Sequence, residues 1–335
     1  MVDVDRLDRN LRRWQEECDR LGLANRPHIK THKSVEIARR QLELGALGLT
    51  CQKLGEAETM IDAGLDDVLI AFNLVGDRKL ERLAGLMRRA TVRVTFDDPA
   101  LLPGLAGAAR AAGEELGVLV DCDTGLGRTG VTEPARAATL AAEASRTDGL
   151  RFDGFLTYPV FAESRSFLEE AVELADVDVP TVSVGGTPTM WHAEELRPLV
   201  TEYRAGVYAF GDLNTIAAGV GSLDEVALTV RATVVSRPAP DRAVLDAGTK
   251  ALAADRGRDG GFGHVVEVPS SAIVKLDEEH AYLRLGGDDS LRLGQTVSVV
   301  PNHACPAVNL HDDLVAVQAG EVVDRWRVDA RGKIT

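Results

Sequence analysis

The chain has 335 residues, 45% of them hydrophobic and 27% charged. That is more than one small domain and enough to bury a large core without covalent or metal staples. Lys and Arg total 38 against 52 Asp and Glu, a formal net charge of −14. This balance excludes nucleic acid and an anionic membrane surface as expected partners. An anionic small molecule would have to be held by a few placed groups.

In chain order, short apolar runs alternate with longer amphipathic stretches. Strands are predicted at 26–30, 46–51, 67–71, 91–96, 117–121, 153–157, 181–184 and about 200–204. Helices are predicted between them, at 34–44, 55–63, 77–89, 98–114, 133–147 and 163–175. Strand followed by helix, repeated, implies a parallel sheet with helices outside. Eight such units fit an α/β fold of the (β/α)₈ barrel type, whose usual length is about 250 residues. An open doubly wound sheet is the competing architecture. Near residue 222 the pattern turns into short Val-rich runs such as EVALTVRATVVS, HAYLRL and TVSVVP, split by Gly, Pro, Asp and Asn. These read as antiparallel strands. The expected division is a barrel over 1–221 and a C-terminal β-domain over 222–335.

Four cysteines, Cys18, Cys51, Cys122 and Cys305, form no C-x-x-C pair, so no disulfide framework is expected. The opening MVDVDRLDRNLRRWQEE has no apolar stretch of a secretory signal, and no run of 18 apolar residues follows. A cytoplasmic protein outside the membrane is the expectation.

Chemistry in a barrel gathers where strands end. The first strand runs through Arg26-Pro27-His28-Ile29-Lys30-Thr31-His32-Lys33. A lysine among cations loses proton affinity and can serve as a free amine nucleophile toward aldehydes; a solvated basic turn is the plainer reading. The fifth strand leads into DCDTGLGRTG, residues 121–130. It contains G-x-G-x-x-G, yet a dinucleotide site does not fit, because a long helix stands where the second strand and its acid belong. The loop is better read as a glycine-permitted turn presenting Arg128. The seventh strand ends in Gly185-Gly186-Thr187-Pro188-Thr189, where free backbone N–H groups and hydroxyls could hold a phosphate or simply make a tight turn. Glu202-Tyr203-Arg204-Ala205-Gly206-Val207-Tyr208 adds a cation and another glycine. In the β-domain, His303 and Cys305 are two apart and would share a face of a strand. Imidazole with thiolate suits Zn²⁺, and two protein ligands leave positions open for catalysis. On its own, H-x-C is also explained by chance.

Together, RPHIKTHK, DCDTGLGRTG, SVGGTPT, EYRAGVY and PNHACPAVNL resemble the D-threonine aldolase and D-serine dehydratase family. This is a group of pyridoxal-phosphate enzymes related to the alanine racemase fold (fold type III). The resemblance spans nearly the whole chain, and its first and last motifs are the specific ones. It implies that Lys30, rather than Lys33, holds pyridoxal 5'-phosphate as a Schiff base. It places Arg128 near the phenolic oxygen, and Gly185, Gly186, Thr187, Gly206 and Val207 around the phosphate. Arg204 would lie at the pyridine nitrogen, and His303 and Cys305 would hold a divalent metal, Zn²⁺ before Mn²⁺ or Mg²⁺. Tyr158 and His280 match polar positions of the family without an assigned role.

The implied substrate is a small D-amino acid with a 3-hydroxyl. Two lyase reactions are open: dehydration to a 2-oxo acid and ammonia, or retro-aldol cleavage to glycine and an aldehyde. Family dehydratases resemble this chain in H-x-C, whereas the aldolases carry H-x-D, so dehydration is favoured. Racemisation is the runner-up within the fold. A non-catalytic cofactor-binding barrel would lack residues 222–335, and Asp121 with Asp123 is a poor pair for sugar hydrolysis. Related folds imply a homodimer.

Overall fold

The computed structural model describes residues 1–286 and 290–335. The chain forms two compact units, each discontinuous in sequence. One comprises Trp14–Lys30, Ile37–Gly206 and Gly332–Thr335; the other comprises Met1–Arg13, Thr31–Glu36 and Val207–Arg331.

The first unit is built on eight parallel strands. They are β1 (Ala24–Asn25), β2 (Leu49–Cys51), β3 (Asp67–Ile70), β4 (Thr91–Phe96), β5 (Leu116–Cys122), β6 (Leu150–Thr157), β7 (Thr181–Gly185) and β8 (Glu202–Arg204). Neighbours pair in chain order from β2 to β8, and β8 then pairs with β1. A parallel bridge between His28 and Thr50 joins the two edges and closes the barrel. Val68, Val92, Val94, Val118 and Val120 are buried, as expected of strands covered on both faces. Helices Val35–Glu43, Leu54–Asp62, Asp77–Met87, Leu102–Ala112, Pro134–Ser145 and Ser164–Leu174 follow the strands. The fourth of these stops at Gly113, whose left-handed φ of 73° lets its N–H donate to the carbonyls of Ala109 and Arg110.

The barrel interior is layered. At the N-terminal ends of the strands, buried Arg26 donates to Glu202 at 2.7 Å and to Asp67 at 2.6 Å. Arg93 bridges Asp67 and Asp153, each at 3.0 Å. Leu69, Leu119 and Leu156 form a small apolar cluster. They lie two positions beyond Asp67, two beyond Gly117 and three beyond Asp153 on their strands. Asp121 and Arg204 stand at the opposite, C-terminal ends. The network lines the N-terminal end of the barrel interior with paired charge.

The second unit carries an antiparallel six-stranded sheet in the order His264–Val265, Thr296–Val300, Val230–Ala239, Arg242–Leu245, Ala281–Arg284, Ala272–Leu276. Val234, Leu245, Phe262, Ile273, Leu283 and Val297 are among its core residues. A smaller sheet pairs the strand Val2–Asp3 with Asp313–Gln318 in parallel, and the latter with Glu321–Arg327 antiparallel. Among the described residues, no helix is long and apolar enough to cross a membrane.

Two sequence expectations are corrected. Residues 26–30 are not one strand: pairing ends near His28, and Ile29–Thr31 is a 3₁₀ turn. Pro27 lacks an N–H for the ladder, and the turn lifts Lys30 out of the sheet. The His303–Cys305 segment is not a strand either. His303 is the N-cap of the short helix Ala304–Val308, with extended φ and ψ of −138° and 111°. The helix Val4–Leu21 was not foreseen.

Candidate cofactor and metal sites

The 3₁₀ turn brings Lys30 to the C-terminal end of the barrel. Its backbone N–H donates to Nδ1 of His28 at 3.4 Å, and Nε2 of His28 stands 3.1 Å from Oε1 of Gln52. With Nδ1 accepting, the imidazole proton sits on Nε2 and donates to Gln52. Burial, then the charges of Lys30 and Arg204, push the His28 pKa well below its usual value. The imidazole therefore stays neutral beside the lysine.

Tyr158, just beyond β6, links the predicted groups. The Lys30 Nζ lies 5.1 Å from its ring centroid, and the Arg128 guanidinium carbon lies 5.2 Å from the same centroid. Both are within cation–π range. The loop that carries Arg128 is held by Asp123, which accepts from the N–H groups of Gly125, Leu126 and Gly127 at 2.9, 2.7 and 2.7 Å. Burial opposes ionisation of Asp123, but these backbone donors prevail and lower its pKa. Thr129 donates to Asp121 at 2.9 Å, and Gly130 N–H donates to Asp97 at 2.9 Å. Burial raises the Asp121 carboxyl to about 6, against the opposing pull of Thr129, Arg204 and Arg128. The sequence reading noted Asp121 only as one of a pair. Its position at the end of an inward-facing run, two beyond Leu119, was the available signal.

Arg204 is 4% exposed. It donates to Ser183 Oγ and, at 2.9 Å, to the carbonyl of Thr157. Burial lowers its pKa to about 10, with Glu202 and Asp121 holding it up. Ser183 in turn donates to Glu202 at 2.6 Å. Arg204 is thus locked at the barrel wall and remains charged at neutral pH.

Gly185 ends β7, and Gly186 adopts φ of 120°. A Cβ on Gly185 would meet the Arg204 side chain at 3.2 Å, and one on Gly186 would meet the Tyr158 ring at 3.6 Å. Thr187 is buried, and its hydroxyl accepts from the Gly206 N–H at 3.3 Å. Lys30, Arg128, Tyr158, Gly185, Gly186, Thr187, Arg204 and Gly206 are all carried by the barrel unit. A lysine amine, two guanidinium groups and strand-end glycines, of which Gly185 leaves little room for a Cβ and Gly186 takes a positive φ, fit an anionic aromatic aldehyde. Val207 opens the 3₁₀ turn Val207–Ala209 in the other unit, where its carbonyl accepts from Phe210 and Gly211.

The β-sheet unit carries the second predicted set. His303 Nδ1 lies 3.9 Å from Asp255 Oδ1. Cys305 is half-buried, and its Sγ lies 3.2 Å from the Thr31 hydroxyl. Asp212, itself buried, accepts from the Ala304 N–H at 2.9 Å and from the Thr215 N–H at 2.8 Å. Asn302 reaches the carbonyls of Asp255 and Gly261 at 2.8 and 2.9 Å. Among the described residues, no group of three or more His, Cys, Asp or Glu is disposed around a metal position. An imidazole, with the Asp255 carboxylate 3.9 Å away, and a thiol two residues on are donor types that fit an open, catalytic divalent site rather than a closed structural one. His280 sits in the exposed turn between Ala272–Leu276 and Ala281–Arg284, where its carbonyl accepts from Asp277.

Residues 2–214 match the family model "Alanine racemase, N-terminal domain", and residues 227–317 match a serine dehydratase domain model. The D-threonine aldolase of Arthrobacter sp. is 36% identical over 99% of this chain and 92% of its own length. The D-threo-3-hydroxyaspartate dehydratase of Delftia sp. (strain HT23) is 34% identical over 97% of this chain and 95% of its own. The crystal structure of D-threonine aldolase from Filomicrobium marinum superposes with a TM-score of 0.91 at 33% identity, covering 100% of this chain and 95% of that one. Structures of a D-threo-3-hydroxyaspartate dehydratase also match. A His→Ala variant has a TM-score of 0.88, and a Cys→Ala variant in metal-free form has 0.86.

Proposed function

Since the chain belongs to the alanine racemase-like family of pyridoxal-phosphate lyases that act on 3-hydroxy-D-amino acids, we propose that it dehydrates its substrate to a 2-oxo acid and ammonia. The observation that carries this choice is the thiol of Cys305, two residues after His303. A dehydratase relative is known as a Cys→Ala variant in metal-free form, which supports a family whose members take up a metal. Identity to a D-threonine aldolase at 36% favours the second reading, retro-aldol cleavage.

Lys30 is proposed as the covalent anchor, its Nζ over the Tyr158 ring and its backbone N–H on neutral His28. Arg128 is proposed to face the phenolic oxygen and Arg204 the ring nitrogen. Gly185, Gly186, Thr187 and Gly206 are proposed to surround the phosphate, with Val207 beside them. Bound pyridoxal phosphate supplies an electron sink for the bonds at the substrate α-carbon. His303 and Cys305 are proposed to hold a divalent ion, zinc by the softness of the thiolate, which supplies Lewis acidity toward the 3-hydroxyl.

The test is a product assay on purified holoenzyme with D-serine and D-threonine, with and without EDTA. Pyruvate and ammonia from D-serine, lost on chelation, are the expected result. Glycine and acetaldehyde from D-threonine as the dominant reaction would overturn it in favour of the aldolase reading. Lys30→Ala is expected to lose the visible band of the lysine-bound cofactor, and an unchanged band would refute the lysine assignment.

A further inference from the structure

We infer that Thr31 is a positioning residue for Cys305, fixing the direction in which the sulfur presents itself to a divalent ion. The inference rests on the metal reading above. Thr31 is fully buried, and a buried hydroxyl needs a partner; its Oγ1 lies 3.2 Å from the Cys305 Sγ. The backbone on either side of the sulfur is already pinned. The Ala304 N–H is held by Asp212 at 2.9 Å, and the Cys305 carbonyl accepts from the Asn309 N–H at 3.3 Å. One rotatable bond, χ1 of the cysteine, is left to set where Sγ points. The Thr31 contact sets it, and it does so stiffly, because threonine is β-branched and itself restricted at χ1.

The direction of the hydrogen bond follows from the chemistry of a ligand sulfur. A thiolate only accepts, so with an ion bound the Thr31 hydroxyl donates. A donor to a ligating sulfur draws off part of its charge and holds its lone pairs in one orientation, which is the role outer partners play at metal centres. Thr31 directly follows Lys30 in the chain. Thr31 is the last residue of the 3₁₀ turn Ile29–Thr31.

The experiment is equilibrium dialysis of the holoenzyme against chelator-buffered Zn²⁺, with bound zinc read by mass spectrometry. Four proteins are compared: wild type, Thr31→Val, Thr31→Ser and Cys305→Ala. Thr31→Val is expected to bind zinc about 10-fold more weakly, the lower end of the range for losing an outer partner. Thr31→Ser, which keeps the hydroxyl, is expected to restore most of the affinity. Thermal midpoints of the two Thr31 variants should agree, so that a general loss of structure does not imitate the effect. At saturating zinc, Thr31→Val should recover turnover. Zinc affinity in Thr31→Val equal to wild type overturns the inference, as does loss of affinity that Thr31→Ser shares in full. Cys305→Ala binding as tightly as wild type instead sinks the metal reading itself, which separates the two failures.

Discussion

Replacing Asp121 by Asn should make the protein more stable at neutral pH and leave it little changed in acid. The carboxyl titrates at about 6 in the fold against 3.8 in the unfolded chain. Between those values the native state binds the proton that the unfolded state has lost. Stability is therefore highest below 3.8 and falls as the pH rises through 6. A shift of about two units amounts to roughly 3 kcal/mol at most, at about 1.4 kcal/mol per unit. About 1.4 kcal/mol of it is lost between pH 5 and pH 7.5. Asn keeps the shape and still accepts from the Thr129 hydroxyl, which lies 2.9 Å from Asp121 Oδ2, so the comparison isolates the charge. The assay is the thermal midpoint of holoenzyme across that pH range, read as the difference between variant and wild type. The advantage of Asn should grow with pH. A difference that is flat, or that shrinks toward pH 7.5, would show that Arg204 and Arg128 hold the carboxylate ionised and that burial is not the governing influence.

His28 should give the opposite slope. Its pKa is pushed down in the fold, so unfolding takes up a proton below about 6.5 and stability is lost as the pH falls through that value. Wild type measured against His28→Gln should weaken from pH 7.5 to pH 5.5, and a constant difference would refute a neutral buried imidazole. Glu202→Leu strips buried Arg26 and Ser183 of a partner. It should cost about 3 kcal/mol or more, as removal of one member of a buried pair does; a urea midpoint within error of wild type would mean Asp67 alone suffices for Arg26. Gly154→Ala would put a Cβ 1.8 Å from the Thr181 carbonyl at φ of 138°, so it should yield no soluble barrel. Gly85→Ala, in open space within the helix Asp77–Met87, should raise stability by about 0.5–1 kcal/mol. Equal behaviour of the two would refute the packing argument at Gly154.

Barrel strands whose inward and outward faces are both apolar could be read from the sequence almost to their ends. Thr91–Phe96 coincides with its prediction, and Leu116–Cys122 and Thr181–Gly185 differ by a residue at the edges. Burial on both faces writes a continuous apolar run, and Gly or Asp marks its limits. The helix Val4–Leu21 went unseen because its sequence is dense in Asp, Arg and Glu. Only the Leu7, Leu11, Trp14 and Cys18 spacing betrays a buried stripe. The role of Val2–Asp3 as a strand of the smaller sheet could not be read at all, since two residues carry no period.

The site motifs failed in a more instructive way. The family resemblance singled out Lys30 and His303, while their local geometry was misread at both. In each case an alternating or spaced pattern was taken for a strand, and in each case a short helical turn stands there instead. A turn of three to five residues is too short to show a helical period. The difference matters for H-x-C. In a continuous helix, positions two apart point about 200° from each other, which would keep imidazole and thiol from one ion. His303 escapes this because it is the N-cap, extended at φ −138°, and only Cys305 lies inside the helix. The side-chain direction of His303 is therefore set by the extended chain and that of Cys305 by the helix. What fixes the break between them is Asp212, which takes the Ala304 N–H at 2.9 Å. Moving the helix start by a single residue would put the two groups under helical geometry, so the proposed metal pair depends on a capping boundary and on the aspartate, distant in sequence, that holds it.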